Sequence, residues 1–397
     1  MVLPDENEEE HPRLLLHNFL SVQECKELEY IHKSNCTVGY RPNVFSTTLS
    51  HLIATNCAHL IMPFVPIRER LKEKVEEFFG CEYELFVEFT GLISWSRGSS
   101  IGWHSDDNRP YLKQRHFAAV CYLNNYGNDF KGGLFHFQDG DLATIVPSGG
   151  DVVIYTADSR NTHSVDEIAD GERLTMALWF SRDAAHDEDV KLISLLSQIP
   201  LRDNGPELWL PLPASSNMYW FSPDQASSHD QLGFDICWAR LHVLGYDPVY
   251  SQDKISCLNT SELLMEPLRL AMGDELFDYE FCNILHTLQV VQFYCWKASD
   301  LNFTKVEASN KVVHLSQSQQ EKSLCLKSLF LKDLHLAESV FRSMTSAERA
   351  EHCNWAHLRV AVDMWEDYAH RLHKELVMCS PHWKTHQSIF HVSFDEK

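Results

Sequence analysis

The chain has 397 residues, 44% of them hydrophobic and 23% charged, enough apolar material for two packed units. A formal net charge of −22 argues against an extended nucleic-acid surface, which needs lysine and arginine against phosphate, although it leaves room for a local basic patch. No apolar run approaches the length that spans a bilayer, and the acidic opening Met1–Glu10 has neither the basic nor the apolar segment of a secretion signal.

In chain order, Arg13–Phe19 reads as a first strand, and Ser21 caps a helix that runs to about His32. A second helix covers Val65–Phe79, with Pro66 in its first turn and Ile67, Leu71, Val75 and Phe78 as its apolar stripe. Both are expected to support a sheet. Phe117–Asn124 reads as a buried strand, followed by a loop ending at Gly132-Gly133 and a strand over Leu134–Phe137. Further extended pieces are Thr144–Val146, Asp151–Tyr155 after the Gly149-Gly150 turn, and Asn161–Val165. In the strand Arg173–Phe180, Arg173, Thr175, Ala177 and Trp179 share one face, while Leu174, Met176, Leu178 and Phe180 share the other.

After Arg182 the pattern changes. His186-Asp187-Glu188-Asp189 reads as a solvated helix start. Pro200 to about Asp230 reads as an irregular linker whose Trp209, Tyr219, Trp220 and Phe221 are expected to pack against a neighbouring unit. Helical spacing then recurs over Ile236–Leu244, Phe277–Gln292, Leu324–Phe341 and Trp355–Leu376, with Pro267 breaking a possible helix at Leu263–Ala271. Leu326, Phe330, Leu334, Ala337 and Phe341 form one expected buried stripe; Leu358, Val362, Trp365, Ala369 and Leu372 form another. The expected division is therefore 1–190, a linker over 191–230, and a mainly helical unit over 231–397. That last unit could cover sheet edges, wall a substrate groove or mediate dimerisation.

The chemistry concentrates in the first unit. His104, Asp106 and His163 offer two imidazoles and a carboxylate, the donor set of a non-haem Fe(II) site with three positions left open. His104 and Asp106 would share one side of an extended strand, and Asp107 would point to the other. Arg173 offers a planar fork for a dianionic co-substrate and, on a packed strand, needs a buried anionic partner or an exposed position. His116 and His136 read as ordinary strand residues.

The run His104–Asp106, Tyr122-Leu123-Asn124, Gly132-Gly133, Arg160-Asn161-Thr162-His163 and Arg173 resembles the Fe(II)/2-oxoglutarate-dependent oxygenases, most of all their prolyl-hydroxylase-like branch. The resemblance covers about residues 12 to 183. It implies an α+β fold with a double-stranded β-helix, or jelly-roll, core and supporting helices. It implies His104, Asp106 and His163 as iron ligands and Arg173 as the clamp for the distal carboxylate of 2-oxoglutarate. Tyr122 stands where the family places a hydroxyl against that carboxylate, and Thr175 could add a hydrogen bond; for both, core packing is the alternative. Fe(II), 2-oxoglutarate and O2 are the implied cofactors, with ascorbate as reductant. Where relatives carry a tyrosine before the first motif, this chain has Trp95, which can donate a hydrogen bond but not accept one. Arg160 could orient substrate or make a loop salt bridge. Trp179 stands where nucleic-acid demethylases of the superfamily place a second arginine.

The resulting expectation is a dioxygenase that hydroxylates a prolyl or other residue of an intracellular protein and converts 2-oxoglutarate to succinate. A small-molecule hydroxylase and a non-catalytic scaffold on the same fold are the alternatives. An open groove lined by Trp103, Arg109 and Tyr111 would favour a peptide; a pocket capped by Asn124–Lys131 would favour a small molecule. Twelve cysteines without a paired framework, and a C-terminus that is no retrieval signal, point to a cytoplasmic or nuclear protein. Collagen-modifying members of the branch work in the endoplasmic reticulum, so the resemblance is expected to carry chemistry and fold rather than collagen as substrate.

Overall fold

A strand that is apolar on both faces has to be covered on both. The computed structural model describes residues 11–35, 38–41, 43–54, 57–198 and 355–390, together with Gln289, Gln292, Phe293, Trp296 and Lys297. Its elements are β1 (Arg13–Leu16), α1 (Val22–Lys33), β2 (Val38–Arg41), β3 (Val44–Thr48), α2 (Leu49–Ala54), α3 (Phe64–Phe79), β4 (Phe86–Ser96), β5 (Ile101–His104) and β6 (Phe117–Tyr122). They continue with β7 (Phe130–Gly132), β8 (Phe135–Phe137), β9 (Thr144–Ile145), β10 (Val152–Thr156), β11 (His163–Val165), β12 (Ile168–Ser181), α4 (Glu188–Gln198) and α5 (Trp355–His386). The larger sheet runs β1-β10-β6-β12-β4-β3-β2, with β7 pairing the start of β12; the smaller runs β5-β11-β8-β9. All the strand pairings within them are antiparallel.

The period-two alternation of the central strands sorts side chains into two cores. Leu174, Met176, Leu178 and Phe180 of β12, Ala119 and Cys121 of β6, and Val152 and Ile154 of β10 pack beneath the helices. Tyr122 of β6 and Val153 and Tyr155 of β10 face the smaller sheet, where they meet Phe135, Phe137 and Val165. The polar face read for β12 thus opens into the space between the sheets.

The helices follow their sequence signals closely. Ser21 makes the reciprocal cap with Glu24, and Ile67, Leu71 and Val75 are buried as expected. Phe78 is not: it is exposed, and its neighbour Phe79 stacks on Phe117 at 4.0 Å instead. The β2–β3 hairpin and α2 gave no sequence signal strong enough to place them.

Glu188 and Asp189 correct the solvated reading of that segment, since both are buried. The reason is Arg68 on α3, itself buried, whose Nη2 donates to Asp189 at 2.7 Å and to Glu188 at 3.3 Å while its Nε donates to Thr90. Only His186 of the quartet's ends remains on the surface. The backbone N–H of Ile389 donates to the other Asp189 oxygen, which ties the segment after α5 to the same cluster.

Helix α5 extends beyond the expected stop at Leu376, through Pro381, because Cys379 and Trp383 continue its buried face. Trp365, Ala369 and Leu372 are buried as the stripe requires and join the core beneath the large sheet. Trp365 donates to the Tyr30 hydroxyl at 3.1 Å, and Tyr368 donates to Glu27 at 2.8 Å. This part of the C-terminal half packs on the helical layer. The expected linker, the helices at 236–244, 263–271 and 324–341, and most of 277–292 lie outside the described residues, as do the side chains of Leu358 and Val362.

Replacing Arg68 by methionine leaves two buried carboxylates without their counter-charge, so urea denaturation should show a loss of about 3–5 kcal/mol. A second prediction concerns pH. Burial pushes His59 down to about 3 and His51 down to about 4, from an ordinary 6.5. The unfolded chain therefore takes up protons near 6.5 that the folded chain refuses. Stability present above that pH should decline as pH falls toward about 5, where most carboxylates are still ionised. His59→Gln should flatten that decline in the urea midpoint.

Candidate functional site

Antiparallel pairing in the smaller sheet sets the two histidines side by side. His104 ends β5 and His163 begins β11, and the two are direct register partners. The Nδ1 of each ring points back to a carbonyl of its own chain, Gly102 at 2.8 Å for His104 and Asn161 at 2.9 Å for His163. With Nδ1 spent there as an N–H donor, each ring presents a bare Nε2 to the space between the sheets.

Asp106 lies beyond the end of β5, in a turn rather than on the extended strand that the spacing suggested. Its Oδ1 is 3.9 Å from Nε2 of both His104 and His163. The three side chains offer donor atoms that all fall within 4.8 Å of one another, a group able to hold a metal ion. Asp107 turns away: its carboxylate accepts from Ser105 at 2.9 Å and Lys113 at 2.6 Å. His116 and His136 stand apart from this group, His136 between Thr144 and Asp166 and His116 accepting from the Arg182 backbone.

The site is dry on one side and open on the other. His163 keeps 4% side-chain exposure and Asp106 9%, whereas His104 keeps 18%. Burial holds the His163 imidazole below its ordinary pKa, which favours the neutral ring a metal needs. Beside the open edge, Trp103 is 56% exposed and Tyr111 73%, and Arg109 is exposed as well.

Facing the triad, the larger sheet contributes Arg173, which sits opposite Trp95 in the β12–β4 register and is buried. Its guanidinium carbon lies 5.3 Å from the Tyr122 ring centroid and 5.8 Å from that of Trp95. Among the described residues no carboxylate pairs with it, and its Nε has no acceptor. Burial lowers the Arg173 pKa, and Tyr122 is pushed up to about 12 by burial despite the nearby guanidinium charge. Neither Arg173 Nε nor the Tyr122 hydroxyl completes a hydrogen bond. A buried guanidinium with no carboxylate beside it among the described residues is costly, and an anion in this end of the inter-sheet space would offset that cost. Gly133 lets the chain pass over it: a Cβ there would meet Arg173 Cδ at 3.2 Å and Ile168 at 2.3 Å. Thr175 already donates to the Ile93 carbonyl at 3.3 Å. Arg160 makes the loop salt bridge, paired with Asp158 through two nitrogens.

Two contributors were missed in the sequence. Asn161, buried, donates to Pro12 and Thr156 and so holds the turn that delivers His163. Tyr155 donates to Asp106 Oδ2 at 3.0 Å. Burial, reinforced by the Asp106 carboxylate, pushes its phenol well above its ordinary pKa. Its alternation with Val153 was the available signal, because it sends the ring toward the smaller sheet.

Residues 90–181 match the family profile of the 2OG-Fe(II) oxygenase superfamily, and this interval holds His104, Asp106, His163 and Arg173. Over that interval the chain is similar to 2OG-Fe(II) oxygenases, and the relatives it matches are of the prolyl-hydroxylase type. That superfamily comprises 2-oxoglutarate-dependent dioxygenases, and similarity to it implies Fe(II), 2-oxoglutarate and O2 for this chain. Among its relatives are prolyl 3-hydroxylase 1 of Gallus gallus and prolyl 3-hydroxylase 2 of Rattus norvegicus. Each is 26% identical over 220 residues, covering 44% of this chain and 30% of the relative. The match thus spans less than a third of either relative. A solved prolyl-4-hydroxylase from Pseudomonas putida is 16% identical over 45% of this chain and 97% of its own, with a TM-score of 0.36.

These relatives overturn the cytoplasmic or nuclear location expected from the cysteines, because they fall in the branch whose collagen-modifying members work in the endoplasmic reticulum. The described cysteines carry no information on compartment. Cys25, Cys57, Cys81, Cys121 and Cys379 are all buried. Burial pushes the Cys25 thiol up to about 12 and that of Cys121 higher still, so neither reports on the redox state outside.

Proposed function

We propose that this chain is an Fe(II)- and 2-oxoglutarate-dependent dioxygenase that hydroxylates a prolyl or other residue of a protein or peptide, with succinate as co-product. The observation that carries the reading is the pairing of a two-histidine, one-carboxylate group with a buried arginine that has no carboxylate partner among the described residues. The donor set suits Fe(II), and the empty charge balance at Arg173 suits a dicarboxylate.

On this reading the two sheets form a double-stranded β-helix, and the catalytic unit lies within residues 1–190. His104 and His163 would hold the iron through Nε2, and Asp106 through Oδ1. Bound there, the iron and 2-oxoglutarate supply the oxidising chemistry that inserts oxygen into a C–H bond, with ascorbate as the reductant that keeps the metal ferrous. The chain supplies position and shelter. Arg173 and Tyr122 bind and orient the distal carboxylate; Trp95 walls that pocket with an aromatic face. Thr175, committed to β4, sets the strand spacing beneath it. The inter-sheet aromatics exclude water from all but the His104 side.

The exposed edge supports a peptide over a small metabolite. Trp103, Arg109 and Tyr111 offer aromatic and cationic surface beside the triad. The Asn124–Lys131 segment is anchored at both ends beside β12, Asn124 by Glu172 and Leu174 and Lys131 by Asp170, while its middle is tied to the Pro147–Gly149 turn through Tyr126 N–H to Pro147 and Gly149 N–H to Asn125. Helix α5, the described helix of the C-terminal half, braces the helical layer.

Full-length protein with Fe(II), ascorbate and 2-oxoglutarate should form succinate faster when proline-containing peptides are added, and Asp106→Ala should form none. Arg173→Ala should raise the 2-oxoglutarate half-saturation on the order of 30-fold or more, since it removes a buried charged partner. Metal affinity should move far less. Equal loss of both would make Arg173 a structural residue and defeat the co-substrate assignment.

A further inference from the structure

The Tyr155 phenol is used by no step above, yet it is aimed at the centre of the candidate metal site. Tyr155 sits on β10 with its backbone paired on both sides, to Arg13 of β1 and Ala118 of β6. Its ring is held by aromatic contacts, edge-on to Phe137 at 5.4 Å and His163 at 5.0 Å, and tilted against Phe135 at 5.9 Å. The residue is 2% exposed. From this fixed position the hydroxyl lies 3.0 Å from Asp106 Oδ2 and 3.5 Å from His163 Nε2.

The two oxygens of Asp106 are therefore not equivalent. Oδ1 is the one that lies 3.9 Å from both imidazole nitrogens, while Oδ2 accepts the hydrogen bond that the phenol donates. Asp106 stands in a turn beyond β5, so no strand pairing fixes its carboxylate, and a free carboxylate can rotate or offer a metal both oxygens. We propose that Tyr155 is a positioning residue for the metal site: its hydroxyl occupies Asp106 Oδ2, so that Asp106 binds the metal through Oδ1 alone. This rests on the metal reading of the triad given above. One-oxygen binding matters to the reaction class. A second carboxylate oxygen on the metal would take one of the three positions needed by co-substrate and O2.

The substitution Tyr155→Phe removes one oxygen atom and keeps the ring. Full-length wild type and variant are titrated with Mn(II), following free ion by electron paramagnetic resonance, and the visible spectrum of each is recorded with Co(II). Val153→Ala serves as a control that loosens the same inter-sheet packing, two residues along β10, while leaving the hydroxyl in place. The expected result is a ten- to hundred-fold loss of Mn(II) affinity on the order typical of a lost partner to a metal ligand, with a changed Co(II) spectrum, an unchanged melting temperature without metal, and near-normal affinity in Val153→Ala. Wild-type affinity and spectrum in Tyr155→Phe would overturn the proposal. Equal losses in Val153→Ala would overturn it too, by assigning the effect to packing. Failure of wild type itself to bind Mn(II) would instead sink the metal reading of the triad, and the proposal with it.

Discussion

A sheet buried on both faces must segregate its side chains strictly, and β12 shows the consequence. Leu174, Met176, Leu178 and Phe180 are committed to the helix side, which leaves Arg173 and Thr175 no choice but the space between the sheets. A one-residue slip of β12 would put the guanidinium into the helical core and a leucine opposite the histidines. The hydrophobic packing beneath the helices is thus what fixes the register of the polar face. The long pairing with β4 and the shorter one with β6 make that register hard to change.

The smaller sheet answers a different demand. Its strands are only two to four residues long, too short to be stable alone, and they are held by aromatic residues that pack against the larger sheet. Phe135 stacks on the His163 ring at 4.8 Å, so the same side chains that anchor the sheet also orient the imidazole. Backbone carbonyls then choose the tautomer. Stability and site geometry are in this way served by one set of contacts.

Much of this was legible in the residues. Period-two alternation put Arg173 and Phe180 on opposite faces of one strand, as they are found, and His104, Asp106 and His163 do converge. What could not be read was anything depending on a partner far along the chain. Glu188 and Asp189 look like the polar first turn of a surface helix until Arg68, on a different helix, is brought against them. Tyr155 looks like one more aromatic in a buried strand. Its role depends on the path of the turn after His104, which no local pattern encodes. Asp106 was assigned to a strand because alternation explains a His-x-Asp spacing, yet a turn delivers the same convergence.

The two buried arginines are partnered in very different ways. Arg68 and Arg173 are both 2% exposed, and each leaves water at a cost that something must offset. Arg68 meets two carboxylates and the Thr90 hydroxyl, which raises its pKa; its needs are met within the fold. Arg173 has aromatic faces and a phenol but no carboxylate among the described residues, and its pKa falls. The aromatic contacts recover part of the lost hydration, because ring faces attract a guanidinium, yet they neutralise no charge. Among the described residues nothing supplies that anion, and on the proposed reading a co-substrate carboxylate would. A bidentate carboxylate matches the fork that Arg173 presents, and the triad lies across the same space. The electrostatic deficit and the donor geometry arise on different sheets for different reasons, and the proposed function joins them through one ligand, an anion that would satisfy the arginine at one end and reach a metal held by the triad at the other.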